Sequence, residues 1–290
     1  MGGHWSAVLH PAADVERAQE LVQGALDRIE ETMSAWKPDS VLCHINAAPI
    51  GQWVALPKEI ANVIGAGLGL MIEMQDVFSI LLGGASAKHG FVPGEERQIT
   101  GNIDAVEFDG QRLRRLEDVT LDLNAIAKGY AVDMAYETLC ANGYNNFLIE
   151  VAGDIRCNGL RPGNIPWNVT MELPVPDRII PALNIPLEGE AIATSGSYRR
   201  TNDAYSHLIS PKTGLPLPAD GSSVAVIADT AMQADGWATV MSILGQEAGL
   251  IEAEKRGLPV VFIEQDLPHG FVERGSTAMG HRLESSWGRL

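Results

Sequence analysis

Basic residues are scarce in this chain: Lys and Arg number 21 against 37 Asp and Glu, a formal charge of −16 over 290 residues. So acidic a balance argues against nucleic acid as a partner, because a phosphate backbone needs a basic face, and it favours a soluble, monodisperse chain. Any anionic ligand must be met by a few local positive groups. Cysteine is scarcer still. Cys43, Cys140 and Cys157 form an odd, scattered set that gives neither a disulfide framework nor metal-type spacing. Cys140 falls on an apolar helix face and reads as core. The longest apolar run, around residues 64–71, is short and interrupted by glycine, so it does not span a bilayer. Met1-Gly2-Gly3-His4 has neither the basic start nor the apolar stretch of an export signal. Also missing are a G-x-G-x-x-G behind a strand, a Walker phosphate loop and the G-x-S-x-G elbow of serine hydrolases. There is no short-period repeat and no low-complexity segment. With 46% apolar residues, the chain can bury a sizeable core as one large domain or two lobes.

Much of the chemistry is concentrated in residues 121–133, L-D-L-N-A-I-A-K-G-Y-A-V-D. Val119, Leu121 and Leu123 alternate with polar neighbours as in a strand, and Ala131, Val132, Met134 and Ala135 continue as a helix. A strand that runs into a helix leaves unpaired N–H groups and the positive end of the helix dipole at the junction. Lys128 at that junction makes a seat for phosphate. A solvated Lys in an ordinary strand-to-helix turn is the competing reading.

Elsewhere the spacing predicts a strand over residues 5–9 and a long helix capped by Asp14 and ending near Trp36. A strand over 52–56 precedes a helix that opens at Pro57. Residues 79–104, rich in glycine, read as a long loop. A hairpin turns at Asp109-Gly110, and the helix after residue 126 stops near Asn142-Gly143. Strands follow over 147–151, 167–173, 191–195, 207–209, 224–227 and 260–263, with a Pro-rich connection over 174–186 and helices over 230–244 and 246–256. This mixture, with frequent hairpins, predicts an α+β fold of two lobes sharing an interface, not a doubly wound parallel sheet.

Further constellations could carry chemistry. Asp235 and Thr239 lie four apart on a helix, so both face one way and could offer hard oxygens to Mg²⁺; a Thr bonded back into its own helix is the commoner arrangement. His207, beside the apolar Leu208-Ile209, could be a general base or simply a hydrogen-bonded structural residue. Thr194-Ser195-Gly196-Ser197-Tyr198 is a hydroxyl-rich turn suited to phosphate or ribose, or to its own hydrogen bonds. Gly153-Asp154 reads as a strand-end turn with an exposed acid. Asn168-Val169-Thr170 matches a glycosylation sequon but falls within a strand.

In this order and spacing the set resembles the ApbE family of flavin transferases (FAD:protein FMN transferases). The resembling pieces are Met1-Gly2 with Trp5, residues 33–40 (M-S-A-W-K-P-D-S), residues 121–133, Gly153 to Arg156, Ala193 to Gly196 with Tyr198, His207 to Gly214, and Ala234 to Thr239. The A-K-G-Y-A-V-D and His207 to Gly214 segments are the most specific. The resemblance implies a T-fold-related architecture over residues 1–290 as one domain of two intertwined lobes, with the ligand site between them. It implies that Asp122, Lys128 and Ile209 contact FAD together with Thr194 and Ser195, with Met1 and Trp36 near the flavin end. Asp235, Thr239 and the Ala125 carbonyl would hold Mg²⁺, and His207 would be the base. The implied reaction is attack by a Thr or Ser hydroxyl of an acceptor protein on the FMN-side phosphorus of FAD, giving a flavinylated partner and AMP. Hydrolysis of FAD to FMN and AMP, or FAD binding without turnover, are the alternatives. The chain departs from the family pattern at Gly3 (usually Thr), Asn124 (often Gly), Ser197 (an acid) and Ser210 (Asp). It departs furthest at residues 78–83, F-S-I-L-L-G, where the family has an F-D-x-T-V-G-P-L-like segment beside the flavin. An intracellular location is the expectation from the chain as written, and an exported one if a leader precedes it.

Overall fold

Amphipathic spacing and side-chain caps lay down the elements of the computed structural model. It describes every residue except 1–3, 12–13, 98–101, 177, 198–200, 203–204, 267–269, 281 and 286–290, and only the backbone of 201–202 and 284–285. After β1 (Trp5–Leu9), Asp14 accepts the Arg17 N–H at 3.3 Å and starts α1 (Val15–Met33), which buries Ala18, Val22, Ala25, Ile29 and Met33 along one stripe. Ser40 caps α2 (Val41–Ala47) by accepting the Cys43 N–H at 3.0 Å. Then come β2 (Val54–Ala55), α3 (Lys58–Glu73) behind Pro57, and α4 (Gly83–Lys88). Asp109 takes the Gln111 and Arg112 N–H groups in the turn joining β3 (Val106–Phe108) to β4 (Arg112–Arg115). After α5 (Ala127–Ala141), β5 (Phe147–Val151) and β6 (Asp154–Asn158) are joined by Ala152 and Gly153, at φ 52° and 97°, as a two-residue primed turn requires. The chain continues through β7 (Trp167–Glu172), β8 (Pro181–Leu187), β9 (Ala191–Gly196), β10 (Thr201–Asn202), β11 (Tyr205–Ile209), β12 (Pro216–Pro218) and β13 (Ser223–Ala228). Thr230 caps α6 (Ala231–Arg256), which breaks at Gly245 (φ 73°, ψ 173°) into the two helical segments read from the sequence. β14 (Val260–Asp266), β15 (Gly270–Gly275), α7 (Thr277–Gly280) and β16 (Glu284–Ser285) complete the described elements.

A seven-stranded antiparallel sheet in the order β1-β5-β6-β9-β13-β14-β15 is the frame. Both of its faces are covered. Val224, Val226, Val260 and Phe262 pack on Ala234, Ala238 and Met241 of α6. Ala225, Ile227, Val261 and Ile263 pack on Leu183, Ile185 and Leu187 of β8, in the small sheet β16-β8-β7. β13 therefore reads as an unbroken apolar run, as a strand buried on both faces must. The largest cluster joins α1, α3 and α5 to Phe147, Ile149 and Val151 of β5. Two further small sheets, β2-β4-β3 and β10-β11-β12, flank this assembly. No helix among the described residues is long and apolar enough to cross a membrane. The mixed helix-and-sheet class is as the spacing predicts.

Several local expectations need correction. Residues 119–123 keep their alternation of buried and half-buried side chains but form no strand. Their backbone groups go to other partners: Leu121 exchanges both of its bonds with the Asn46 amide (2.8 and 2.9 Å), the Asp122 N–H donates to Ile80, and the Thr120 carbonyl takes the Gly83 N–H. The segment read as a long loop over 79–104 contains α4 and a turn of 3₁₀ helix at Ile103–Ala105. The Pro-rich connection contains β8, with Pro181 and Pro186 inside the strand. Thr194 and Ser195 lie in β9, in agreement with the strand read over 191–195, and Gly196 continues that strand against β13, so the hydroxyl-rich turn does not begin at Thr194. Asp154 is not an exposed acid: it is 1% exposed.

Candidate active site

The site begins where α5 and α6 meet at their N-termini. Gly129 has no side chain because none fits: a Cβ there would lie 2.5 Å from the Ala231 carbonyl carbon and 2.7 Å from Met232 Cα, and closer still to the Ala231 oxygen. That contact brings Asp235 of α6 over the first turn of α5, where its Oδ2 accepts the Gly129 N–H at 3.0 Å. The α5 ladder starts with the Tyr130 N–H on the carbonyl of the N-cap residue Ile126 (3.2 Å), so the Gly129 N–H is one of the first-turn donors that need an acceptor from outside the helix. Ala125 precedes the helix and lines a cavity.

Lys128 sits in the same turn and is the hub of a buried ion network. Its Nζ donates to Asp235 Oδ1 at 2.6 Å and to Asp154 Oδ2 at 3.0 Å. Burial works against the charged ammonium, but the two carboxylates outweigh it and hold Lys128 protonated well beyond its ordinary range. Burial and the nearby Asp235 charge push the Asp154 carboxyl up to about 7, against the pull of Lys128. Read from the sequence, Lys128 is a seat for phosphate, with a solvated Lys as the alternative. It lines the cavity, yet two of its N–H donors are already committed, which leaves one for a ligand.

A cavity of about 350 Å³ opens beside this network. Asp122, Ala125 and Lys128 reach it from the start of α5, Thr194 and Ser195 from the end of β9, His207 and Ile209 from β11, and Asp235 and Thr239 from one face of α6. Phe78, Ser79, Leu82 and Ser86 close it on the side of α4. The Asp122 carboxylate is fixed by the Ser86 hydroxyl (2.6 Å) and the Asn124 N–H (2.9 Å). Nine of the residues named from the sequence thus converge from separate segments onto one cavity. Trp36 does not join them; its side chain is 66% exposed. Its neighbour Ala35 lines a second hollow of about 280 Å³, which shares Asp122 with the first. Met1 and Tyr198 lie outside the described residues.

The donor set suits a hard cation. Asp235 and Thr239 are both buried and line the cavity with Ala125; a carboxylate, a hydroxyl and a backbone carbonyl oxygen are ligand types of Mg²⁺. Among the described residues, no group of three or more His, Cys, Asp or Glu is placed to hold a metal ion by itself. Sequence reasoning missed Asp154, Ser86 and Gly129 as site residues. A signal for Asp154 was present: Asp154 and Arg156, two apart on β6, are charges of opposite sign, and they meet Lys128 and Asp133, five apart on α5.

The chain matches the model of the ApbE family over residues 1–262. A protein of Vibrio cholerae named FAD:protein FMN transferase is 30% identical over 284 residues, covering 92% of this chain and 84% of that protein. The Escherichia coli K12 protein of the same name is 28% identical over 291 residues, covering 92% and 82%. The solved structure of the flavin transferase ApbE from Vibrio cholerae matches with a TM-score of 0.85 at 29% identity, over 98% of this chain and 96% of that one. The apo form of Pseudomonas stutzeri flavinyl transferase ApbE matches with a TM-score of 0.80 at 27% identity, over 97% of each chain.

Proposed function

This chain belongs to the ApbE family, and from that premise we propose that it is an FAD:protein FMN transferase. It moves the FMN half of FAD onto a Ser or Thr hydroxyl of an acceptor protein, releases AMP, and requires Mg²⁺. The observation that carries the cation requirement is charge. Asp122, Asp154 and Asp235 stand against the single ammonium of Lys128, in a chain of formal charge −16. The anionic diphosphate of FAD would be repelled by such a corner.

Asp235, Thr239 and the Ala125 carbonyl would hold Mg²⁺, which would supply the positive charge that neutralises the diphosphate and the departing phosphate. Lys128 offers its remaining N–H to a phosphate oxygen and keeps Asp235 oriented through its ion pair. Asp122, fixed by Ser86, accepts from FAD, while Thr194 and Ser195 offer hydroxyls and Ile209 an apolar contact. His207 takes the proton of the acceptor hydroxyl. The freed oxygen forms a bond to the FMN-side phosphorus as the bond to the AMP oxygen breaks, and AMP leaves with that electron pair. Water in place of the acceptor would give FMN and AMP from the same site.

The test is incubation with FAD, Mg²⁺ and a Thr-bearing acceptor protein. Flavin fluorescence travelling with the denatured acceptor, together with AMP, is the expected result. AMP with free FMN and no labelled acceptor would make the protein an FAD pyrophosphatase. Failure to take up FAD in the presence of Mg²⁺ would overturn the reading.

A further inference from the structure

α5 and α6 cap each other. The Gly129 N–H is accepted by Asp235, four residues along α6 from Ala231 (3.0 Å). The Ala231 N–H is accepted by Asp133 Oδ1, four residues along α5 from Gly129 (2.8 Å), and the Met232 N–H by the second oxygen of Asp133 (2.9 Å). The helices therefore exchange carboxylates at equal spacing across their closest contact. Their own N-cap positions explain why. Ile126 makes no side-chain cap for α5, and Thr230 satisfies only the Gln233 N–H of α6. The remaining first-turn donors need an acceptor from outside.

Asp133 is buried and lies outside the cavity lining. Arg156 of β6 completes its surroundings, donating to Asp133 Oδ1 at 2.7 Å while its guanidinium lies 3.9 Å from the centre of the Tyr136 ring. The carboxylate thus takes donors from α6 and β6 and transmits their positions to α5. Asp235 starts the second turn of α6 and Thr239 the third, so a shift at Ala231 and Met232 is carried directly to both.

We propose that Asp133 is a positioning residue for the cation and diphosphate site. It fixes the first turn of α6 against α5 and thereby sets the direction in which Asp235 and Thr239 face the cavity. The inference rests on the reading of that cavity as an FAD and Mg²⁺ site, and its test has one arm that does not.

Asp133→Asn keeps the shape but places an amide N–H₂ against one of the two backbone donors. In the ligand-free protein, hydrogen exchange followed by NMR is expected to quicken about fivefold at Ala231 and Met232, and also at Gly129 on the opposite helix. In calorimetric titration with FAD present, half-saturation by Mg²⁺ is expected about tenfold higher, with a much smaller change in kcat at saturating Mg²⁺. Faster exchange at Ala231 and Met232 alone, with the Mg²⁺ midpoint unmoved, would reduce Asp133 to an ordinary helix cap and overturn the inference. If Asp133→Asn fails to fold, Arg156→Gln removes one donor to the same carboxylate. It should shift the Mg²⁺ midpoint in the same direction by about threefold, and no shift overturns the inference. A wild-type protein that binds no FAD with Mg²⁺ refutes the functional reading, while Gly129 exchange still decides whether the helices are coupled through Asp133.

Discussion

Gly129→Ala is the sharpest perturbation of the helix contact on which the site depends. The added Cβ would fall 2.5 Å from the Ala231 carbonyl carbon and 2.7 Å from Met232 Cα. Both are backbone atoms of a helix anchored at its other contacts, so neither can rotate aside as a side-chain tip would. Relief needs the two helices to part by about 1–1.5 Å, since non-bonded atoms settle at roughly 3.5 Å and the Ala231 oxygen is closer still. Overpacking of this kind costs about 1–3 kcal/mol, and parting the helices also weakens the bond from the Gly129 N–H to a charged carboxylate, worth about 1.5–3 kcal/mol. The better helix propensity of Ala returns at most about 1 kcal/mol. A net loss of about 3 kcal/mol is expected, read by urea unfolding, together with weakened FAD uptake because Asp235 is drawn off Lys128. Gly69 supplies the control. It is exposed on α3, and a Cβ there meets nothing within 4 Å, so Gly69→Ala should stabilise by up to about 1 kcal/mol. Equal stability of the two variants, or full FAD binding by Gly129→Ala, would refute the close-contact argument.

Other perturbations separate the roles of the network. Lys128→Met leaves Asp154 and Asp235 facing each other without their shared cation, so thermal unfolding should show a loss of about 3 kcal/mol. Added Mg²⁺ should recover more stability in that variant than in the wild type, because it then relieves two carboxylates that have lost their shared cation, and an equal Mg²⁺ response would refute that account. Asp154 has its carboxyl raised from 3.8 to about 7 by burial and by Asp235, so the folded state holds a proton that the unfolded state releases. Its contribution to stability is full below about pH 3.8 and is lost as pH rises toward 7. Asp154→Asn should flatten that slope in metal-free unfolding measured across this range, and an unchanged slope would show that Asp154 does not titrate there. His207→Ala should slow acceptor labelling far more than it weakens FAD binding, and equal losses in labelling and titration would make His207 structural.

Legibility followed the range of the interactions. α1 and α3 were readable because their stripes repeat every three to four residues and their first turns carry Asp14 and Pro57. α4 was not, because G-G-A-S-A-K has no apolar stripe. It is positioned by a contact far along the chain: Gly83 packs so closely under Thr120 and Leu121 that a Cβ would lie 2.7 Å from Thr120 Oγ1. Ser86, the partner of Asp122, was hidden with it. The alternation at 119–123 was visible, but the partners of its backbone are Asn46 and residues 80–83, which no periodicity reveals. Asp235 with Thr239 and the A-K-G-Y-A-V-D stretch were readable as motifs. That Asp235 would reach Lys128 was not, since 107 residues separate them.

The ion network is better explained by position than by stability. Removing two carboxylates and an ammonium from water costs several kcal/mol per ion, and apolar replacements of similar volume often leave a fold as stable or more so. A core that needed only cohesion would fill the space between α5, α6 and β6 with the Val, Ile and Ala used at Val224, Val226, Ala234 and Ala238. Here, instead, β6 sends Asp154 to Lys128 and Arg156 to Asp133, and Asp133 and Asp235 reach across to each other's helix. Each of these contacts is directional, and together they leave the two helices little freedom to slide or rotate. Apolar side chains would tolerate a shift of an ångström, whereas a carboxylate held by two backbone N–H groups does not. The consequence falls on Asp235, which lines one cavity together with Thr239 and Ala125. The proposed cation and diphosphate site would depend on that convergence, because side chains locked by packing and hydrogen bonds hold a binding geometry that a loose shell would not.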